Sequence, residues 1–265
     1  MAALSDYLEN KLLDHLLGGG DYAPAATHHV ALFTAAPTDS GGGTEVSGGS
    51  YARAALTNNI SNWPSASGGL KNNGTTISFP TSSGSWGTVT HFGIYDASSG
   101  GNLLCWAALT SSASVASGDT VSFSNNTLQI SLGGALGATL RNNLLNLAFG
   151  GIAYTRPSTV YAALYTAPPS AGGGGTEVSG GAYARVSVAN NGTNFPSASS
   201  GSKSNGAQIS FPTATGSWGT VTDAALFDAA SGGNLLLYGT LSASRSIAAG
   251  NTFRFAASAF TPSLD

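Results

Sequence analysis

The stretch ISFPTSSGSWGTVTHFGIYDASSGGNLL at residues 77–104 decides the fold, because it recurs at 209–236 as ISFPTATGSWGTVTDAALFDAASGGNLL. The offset is 132 residues, and the glycine-rich loop GGGTEVSGGSYAR (41–53) returns at the same offset as GGGTEVSGGAYAR (173–185). This offset holds without a gap over nearly the whole chain. The protein is therefore a tandem pair of one unit of about 130 residues, the usual size of a domain.

Each copy begins with a helical pattern and continues with strand patterns. In the first copy Ser5 is expected to cap a helix whose leucines have helical spacing, namely Leu8, Leu12, Leu13, Leu16 and Leu17. This leucine stripe needs cover, either from its own sheet or from a neighbouring subunit. The segments that follow, such as TISF (76–79) and LQISL (128–132), alternate polar and apolar side chains as half-buried strands do.

These patterns predict a mainly β chain, since turn-forming glycine, asparagine and serine separate the strand segments at short intervals. We expect two tandem antiparallel β-sandwich or jelly-roll-like domains, each preceded by an amphipathic N-terminal α-helix. The predicted domains are residues 1–132 and 133–265.

Charge is scarce in this chain: 8% of its residues are charged, and its net charge is −3. Disordered chains carry more charge and fewer aromatic residues, so the 9% of aromatic residues favours a folded protein. Nucleic-acid binding needs a basic patch, which this composition does not favour. We expect neither a signal peptide nor membrane insertion, because no apolar run reaches the roughly 18 residues of a membrane span. A weakly charged surface of small polar side chains suits a protein that lives in an assembly.

The duplication shows which reactive side chains both copies kept. No histidine is kept: His15, His28, His29 and His91 stand opposite Leu147, Val160, Tyr161 and Asp223. A metal site or a histidine base present in both copies is therefore excluded, and we predict no enzymatic activity, no metal and no cofactor. Cys105 stands opposite Leu237, which indicates a buried apolar position.

Four charges are present in both copies, and they are paired by position as Glu45/Glu177, Arg53/Arg185, Lys71/Lys203 and Asp96/Asp228. Glu45 and Arg53 flank a turn, so we expect them to pair across a hairpin. Asp96 ends a strand before a turn, where aspartate commonly accepts hydrogen bonds from backbone amides. The alternative, an acid pair for hydrolysis, is the less favoured interpretation. The glycine-rich loop is not a P-loop, because no Lys-Ser/Thr follows it.

Aromatic residues also persist around the repeated loop. Trp86 and Trp218 either fill the core or lie exposed where a sugar ring stacks on them, and Tyr51 and Tyr183 are equally open. The candidate structural or assembly contacts are Glu45, Tyr51, Arg53, Trp86 and Asp96, with Glu177, Tyr183, Arg185, Trp218 and Asp228 in the second copy. Two interpretations of the loop stay open: a turn that needs positive φ, or a contact with the next subunit.

The two copies differ in charge. Residues 1–132 carry three basic and eight acidic side chains, a net charge of −5, whereas residues 133–265 carry six basic and four acidic ones, a net charge of +2. Unlike copies would then favour each other as neighbours. We therefore predict a homo-oligomer in which first and second copies alternate. A trimer would imitate a six-fold arrangement in this way.

The segments LSDYLENKLLDHLLGG (4–19), VALFTAAPT (30–38) and WGTVTHFGIYDASSGGNLL (86–104), together with the repeated loop, resemble a family of tail fibre proteins of tailed bacteriophages. The resemblance covers both copies. It implies a non-enzymatic structural component of the virion, tail-fibre-associated or capsid-decorating, made in the host cytoplasm and bound to other virion proteins. The alternatives are an adhesin for a host surface glycan or protein and, more remotely, a cell-wall glycan hydrolase.

Overall fold

The computed structural model describes residues 2–264 and consists mainly of antiparallel β-strands, with a short helix near the start of each copy. The elements of the first copy are β1 (Ala3–Leu4), α1 (Asp6–Leu16), β2 (Thr27–Ala35), β3 (Thr44–Glu45), β4 (Ala54–Thr57), β5 (Leu70–Asn72), β6 (Ile77–Ser78), β7 (Gly87–Tyr95), β8 (Leu103–Val115), β9 (Ser122–Phe123) and β10 (Gln129–Ser131). Those of the second copy are α2 (Ala138–Ala148), β11 (Thr159–Ala167), β12 (Thr176–Glu177), β13 (Val186–Ala189), β14 (Ile209–Thr213), β15 (Gly219–Phe227), β16 (Leu235–Ile247) and β17 (Thr252–Phe255). The predicted fold, mainly β with two tandem copies and a helix in each, is confirmed.

One large sheet dominates each copy. In the first copy its order is β1-β8-β7-β2-β3, with β4 also paired to β2, and in the second copy it is β16-β15-β11-β12, with β13 paired to β11. Small two-stranded sheets complete each copy: β10-β5 and β6-β9 in the first, β14-β17 in the second. The central strands β2, β7, β11 and β15 are the continuously apolar segments of the sequence, which matches their burial on both faces.

Aromatic side chains pack the small sheets onto the large ones. The ring of Phe92, on β7, contacts that of Phe123, on β9, with centroids 5.5 Å apart. Phe79, directly after β6, contacts the same Phe123 ring at 6.3 Å. Edge-on arrangements of this kind add to the energy of apolar burial. The two-layer packing expected of a sandwich is thus present in the first copy.

Helix α1 begins as its sequence predicts. The backbone N–H of Leu8 donates to Ser5 Oγ at 3.3 Å, and Glu9 N–H donates to the Ser5 carbonyl at 2.9 Å. All five leucines of the stripe are fully buried. Each contributes about 1.5–3 kcal/mol by leaving water, so this short helix depends on what covers it.

Each helix contributes residues to both structural units, so the leucines of one helix are not all covered by the same unit. Two compact units form: the first contains the residues up to Glu9, Ala23–Leu132 and Asn142–Tyr154, and the second contains Asn10–Tyr22, Gly133–Arg141 and the residues from Thr155 onward. The last part of α1 therefore belongs to the unit built on the second copy, and the last part of α2 to the unit built on the first. The prediction offered cover from the helix's own sheet or from another subunit, and it did not consider the other copy of the same chain. The domain boundary at 132/133 stays a prediction for where the sequence copies join.

Hydrogen bonds hold these helix ends in their units. In the second unit Asn190 Nδ2 donates to the Leu16 carbonyl at 2.9 Å. In the first unit the equivalent Asn58 Nδ2 donates to the Ala148 carbonyl at 3.2 Å. In each case the asparagine amide caps the helix by donating a hydrogen bond to its last carbonyl. Over residues 2–264 neither helix is long and apolar enough to cross a membrane.

Candidate functional site

The repeated glycine-rich loop turns tightly against the chain. Gly49 has a φ of +52°, and a Cβ built on it would lie 3.0 Å from both the Gly84 carbonyl oxygen and Trp86 Nε1. Gly181 repeats this in the second copy, with a φ of +52° and the Gly216 oxygen at 3.0 Å. Glycine is favoured at such a position, because the positive φ and the close backbone and indole atoms both disfavour a side chain. This geometry accounts for the repeated glycine by a folding requirement.

Glu45 and Arg53 form a bidentate ion pair. Arg53 Nε donates to Glu45 Oε1 and Nη2 donates to Oε2, both at 2.8 Å. The Arg53 side chain is only 7% exposed. Burial opposes the charge of Arg53, but the hydrogen bond and the negative charge of Glu45 raise its pKa above the ordinary value. The pairing predicted across the hairpin is confirmed.

Tyr51 links this ion pair to the large sheet. Its hydroxyl donates to Glu45 Oε1 at 3.1 Å and accepts the Leu32 backbone N–H at 2.9 Å. Burial, with the nearby charge of Glu45, raises the pKa of Tyr51 above its usual range. The hydroxyl therefore stays protonated, as a donor to Glu45 requires.

Arg53 also fastens the turn that follows β7. Its Nη1 donates to the carbonyls of Ala97 and Gly100, both at 2.8 Å, and its guanidinium lies 3.6 Å from the Tyr95 ring centroid. Asp96 closes the same turn, because its two carboxylate oxygens accept the backbone N–H and the side-chain amide of Asn102 at 2.7 Å each. The predicted role of Asp96 as an acceptor in this turn is confirmed.

The second copy repeats the arrangement nearly atom for atom. Arg185 donates to Glu177 at 2.9 and 2.8 Å, the Tyr183 hydroxyl donates to Glu177 at 3.0 Å, and Asp228 accepts both donors of Asn234 at 2.6 Å. The guanidinium of Arg185 lies 3.6 Å from the centroid of Phe227, which replaces Tyr95. We call these residues, with their first-copy equivalents, the Glu–Arg–Tyr networks.

The two tryptophans of the repeated WGTVT motif belong to the core. Trp86 and Trp218 are each 4% exposed, so neither offers a face to a sugar. Their indole N–H groups donate at 2.9 Å to the carbonyls of Gly49 and Gly181, respectively, in the repeated loop. Each tryptophan therefore fastens the loop to the sheet beneath it. The role of all ten candidate residues as assembly contacts stays a prediction.

The histidines and the cysteine provide no shared reactive site. His28 is fully buried, and burial together with the neighbouring His29 lowers its pKa to about 4. Cys105 is fully buried, which confirms its predicted core position, and this burial raises the pKa of its thiol. Among residues 2–264 no group of three or more histidine, cysteine, aspartate or glutamate side chains is placed to hold a metal ion.

Two buried lysines carry a contact that sequence reasoning missed. Lys203 Nζ donates to Asp14 Oδ1 at 2.6 Å, whereas Lys71 Nζ donates to Asn146 Oδ1 at 2.7 Å. The lysines were recognised as charges present in both copies, but their partners lie on helix ends that belong to the opposite copy in sequence. The available signal was a lysine kept in both copies with no acidic residue close to it in sequence. This signal indicates a special environment but does not identify the partner.

The comparisons with known proteins give the family. No curated protein matches the chain. The family model described as podophage GP4 fiber I protein gp80 matches twice, over residues 3–131 and 135–263. The two matches cover nearly the whole chain and follow the duplication. The chain therefore belongs to the podophage GP4 fiber I protein gp80 family and contains two tandem copies of its unit.

Proposed function

We propose that this phage fibre protein is a non-enzymatic structural component of the virion that assembles with copies of itself and with other virion proteins. The observation that carries the proposal is the state of the Glu–Arg–Tyr networks. Their carboxylates are held by arginine, tyrosine or turn amides within the chain. A general acid or base must be able to exchange a proton with a substrate. These carboxylates are instead held in hydrogen bonds that stabilise the fold.

Self-assembly is supported by the different charges of the two copies. Asp39 and Asp119 are exposed in the first copy, where the second copy has Ala171 and Asn251. The surfaces around them are otherwise rich in small uncharged side chains. Opposite net charges on similar folds favour contacts between unlike copies and set their order around a ring. Three chains in such a ring, alternating first and second copies, would give a trimer with six similar positions.

The experiment is sedimentation of the full chain over a range of concentrations and salt. We expect an oligomer that weakens as salt rises, because salt screens exposed charges. The variant Asp39→Ala with Asp119→Asn installs the residues of the second copy and should weaken association. The matched control Arg156→Lys keeps the charge of the second copy at a separate ion pair and should leave association unchanged. A monomer at every concentration, with no binding to other virion proteins, would refute the proposal.

A second candidate function is adhesion to a host surface. One observation favours it: the second unit contains a groove whose lining residues differ from those at the equivalent positions of the first copy. Ala224, for example, stands where the first copy has Phe92. An adhesin should label intact host cells as a purified protein, whereas a purely structural protein should bind virion proteins and ignore cells.

A further inference from the structure

The last part of each helix carries the same pattern of polar residues: an asparagine, an aspartate or asparagine four positions later, and a glycine four positions after that. The pattern comprises Asn10, Asp14 and Gly18 in and just after α1, and Asn142, Asn146 and Gly150 in and just after α2. Residues spaced by four lie along one face of a helix, so each pattern forms a single polar stripe.

One loop of the second unit contacts the first two members of the α1 stripe. The backbone N–H of Gly201 donates to Asn10 Oδ1 at 3.1 Å. Asp14 Oδ1 accepts both the N–H of Ala198 at 2.8 Å and the ammonium of Lys203 at 2.6 Å. The Lys203 side chain is fully buried, so this ion pair is shielded from water on the lysine side.

Asn190 contacts the third member of the stripe and the end of the helix. Its Oδ1 accepts the N–H of Gly18 at 2.5 Å, and its Nδ2 donates to the Leu16 carbonyl at 2.9 Å. Gly18 has a φ of +70°, and a Cβ built on it would lie 2.3 Å from the Asn191 carbonyl oxygen. The site therefore favours glycine at this point of the helix end.

The first unit makes the equivalent contacts with the stripe of α2. Gly69 N–H donates to Asn142 Oδ1 at 2.9 Å, Ala66 N–H donates to Asn146 Oδ1 at 2.8 Å, and Asn58 Oδ1 accepts the N–H of Gly150 at 2.5 Å. We call the contacting residues the helix-end sites: Asn58, Ala66, Gly69 and Lys71 in the first unit, and Asn190, Ala198, Gly201 and Lys203 in the second.

The apolar side chains of both helix ends are fully buried, namely Leu12, Leu13, Leu16 and Leu17 in the first and Leu144, Leu145, Ala148 and Phe149 in the second. A helix end that left its site would expose these side chains to water, which is unfavourable. Each helix end therefore stays in a site of this kind whenever the chain is folded.

Each site is filled by the helix end of the other copy. The end of α1 comes from the first copy and lies in the second unit, whereas the end of α2 comes from the second copy and lies in the first unit. The family model matches each copy by itself, so one copy is the repeating element of the family. Such an element presents a helix end and has a site that it does not fill itself. The same contacts form whether the partner copy belongs to the same chain or to another.

The segment that joins the copies suits exchange between chains. Only residues 132–137 separate β10 from α2, and they include the adjacent Gly133 and Gly134. Short connections of this kind favour domain swapping, in which chains exchange identical elements at low cost.

We propose that the helix-end sites also join different chains, with the helix end of one chain filling the equivalent site of a second copy of this chain. The inference rests on the self-assembly proposed above and names a surface for it. A helix end tethered to its own chain has a high effective concentration, so exchange takes place when chains fold together rather than between folded chains. Because every chain presents two helix ends and two sites, exchange links chains in pairs or in series.

The test gives two chains mismatches that only exchange corrects. Asp14→Lys places two ammonium groups at the second-unit site, and Lys203→Asp places two carboxylates there. When chains of the two kinds exchange α1 ends, the introduced lysine meets the introduced aspartate, and Asp14 of one chain meets Lys203 of the other. The hydrogen bond of Ala198 that Asp14→Lys removes is lost within and between chains alike, so it does not affect the comparison.

The two variants, each with its own affinity tag, are unfolded, mixed in equal amounts and refolded in high salt. We expect at least about tenfold more of the species that carries both tags than co-refolded unmodified chains give, because each mismatch disfavours the closed chain. The matched control is the same exchange of charges at an exposed pair of the second unit, Asp21→Arg in one chain and Arg156→Asp in the other. An exposed pair contributes little, so the control should give no more of the two-tag species than unmodified chains do.

Unmodified chains with two different tags decide the matter if the charge variants do not fold. Refolded together at high concentration, they should give a two-tag species that persists after dilution, whereas folded chains that are merely mixed should give none. Absence of this species after co-refolding, or equal amounts of it from folded Asp14/Lys203 variants and from the control pair, would overturn helix exchange.

High salt separates this proposal from self-assembly through exposed charges. Salt screens exposed charges but affects buried pairs much less, so only exchanged chains should stay together in high salt. Folded chains that associate at low salt but give no two-tag species would retain the assembly proposal and remove helix exchange. Monomers before and after co-refolding would remove both.

Discussion

Lys203 Nζ donates a hydrogen bond to Asp14 Oδ1 at 2.6 Å, across 189 positions of the chain. The lysine is 2% exposed, and the same carboxylate oxygen accepts the backbone N–H of Ala198 at 2.8 Å. A buried ammonium needs such a partner, because transfer of a charge from water is costly without one. The last turns of α1 thereby provide a charge that the second copy's own sequence does not contain at the equivalent position of α2.

In the first unit the equivalent buried lysine has no charged partner among residues 2–264. Lys71 is 1% exposed, and its partner is the neutral amide oxygen of Asn146. Burial lowers the pKa of Lys71 to about 8 from its ordinary value of 10.5. Because the folded state then holds its proton less tightly than the unfolded state, stability rises with pH between these two values. Near neutral pH the buried charge costs up to about 3 kcal/mol.

The first prediction is that Asn146→Asp stabilises the chain near neutral pH by about 1 kcal/mol or more, because it gives Lys71 the carboxylate that Lys203 already has. The gain should shrink as the pH rises above about 8, where Lys71 of the unmodified chain loses its proton. Urea unfolding near neutral pH and at about pH 10 measures both effects. The converse variant Asp14→Asn should destabilise. A destabilising Asn146→Asp would show that the aspartate loses more on burial than the pair gains.

The second prediction concerns the partly buried ion pairs of the Glu–Arg–Tyr networks. Glu45→Gln leaves the Arg53 guanidinium buried beside a neutral group, and Glu177→Gln does the same to Arg185. We expect each change to cost about 1–3 kcal/mol, between the small value of an exposed pair and the larger loss on breaking a fully buried one. Thermal unfolding of the single and double variants measures the loss.

Arg156→Ala is the matched control for these variants. It removes the ion pair of Arg156 with Asp21, whose side chain is 83% exposed. An exposed pair contributes about 0–1 kcal/mol, so this variant should unfold close to the unmodified chain. Equal losses in the control and in Glu45→Gln would contradict the structural importance of the networks.

The third prediction tests the close approach at the repeated loop. Gly49→Ala places a Cβ 3.0 Å from backbone and indole atoms, so we expect a loss of about 2 kcal/mol or more in the free energy of unfolding. The neighbouring Gly48 also has a positive φ, +73°, but a Cβ there meets open space. Gly48→Ala should therefore cost only the backbone strain of about 1–2 kcal/mol. Losses ranked in the opposite order would argue that the loop is not fixed by this contact.

Much of the fold follows from local signals in the sequence. The cap at Ser5, the leucine stripe, and the strands with a period of two are all determined by neighbouring residues, and each is found where expected. The pairing of Glu45 with Arg53 was equally accessible, because the two residues flank one short turn. In such cases sequence separation is small and few partners compete.

Long-range features were less accessible. Nothing near Asn10–Tyr22 in the sequence indicates that this segment joins the second unit, since both copies offer equivalent surfaces to the leucines. The groove lined by Ala224 was also missed, although the exchange of Phe92 for alanine was visible in the aligned copies. From the sequence alone, the exchange of an aromatic ring for a methyl group looks like neutral divergence, because the residues that face it in the fold are not known.

The fourth prediction is that acid destabilises the first unit through His28. Its ring is fully buried against Trp63 and Phe149, with centroids 5.8 and 5.1 Å away, and neither ring nitrogen has a hydrogen-bond partner among residues 2–264. Burial and the charge of His29 lower the pKa of His28 to about 4, against the partial opposition of Asp96. Its folded pKa lies below the ordinary 6.5, so stability falls as the pH drops from 6.5 towards 4, by up to about 3 kcal/mol.

His28→Val installs the residue found at the equivalent Val160, which is also fully buried. It should flatten the dependence of unfolding free energy on pH between about 6.5 and 4, whatever it does to stability at neutral pH. Urea unfolding across this range measures the slope, and His91→Asn, at a half-buried histidine, serves as the control and should keep most of it. The contribution of His28 would be disproved by an unchanged slope in His28→Val, since a neutral valine has no proton to gain.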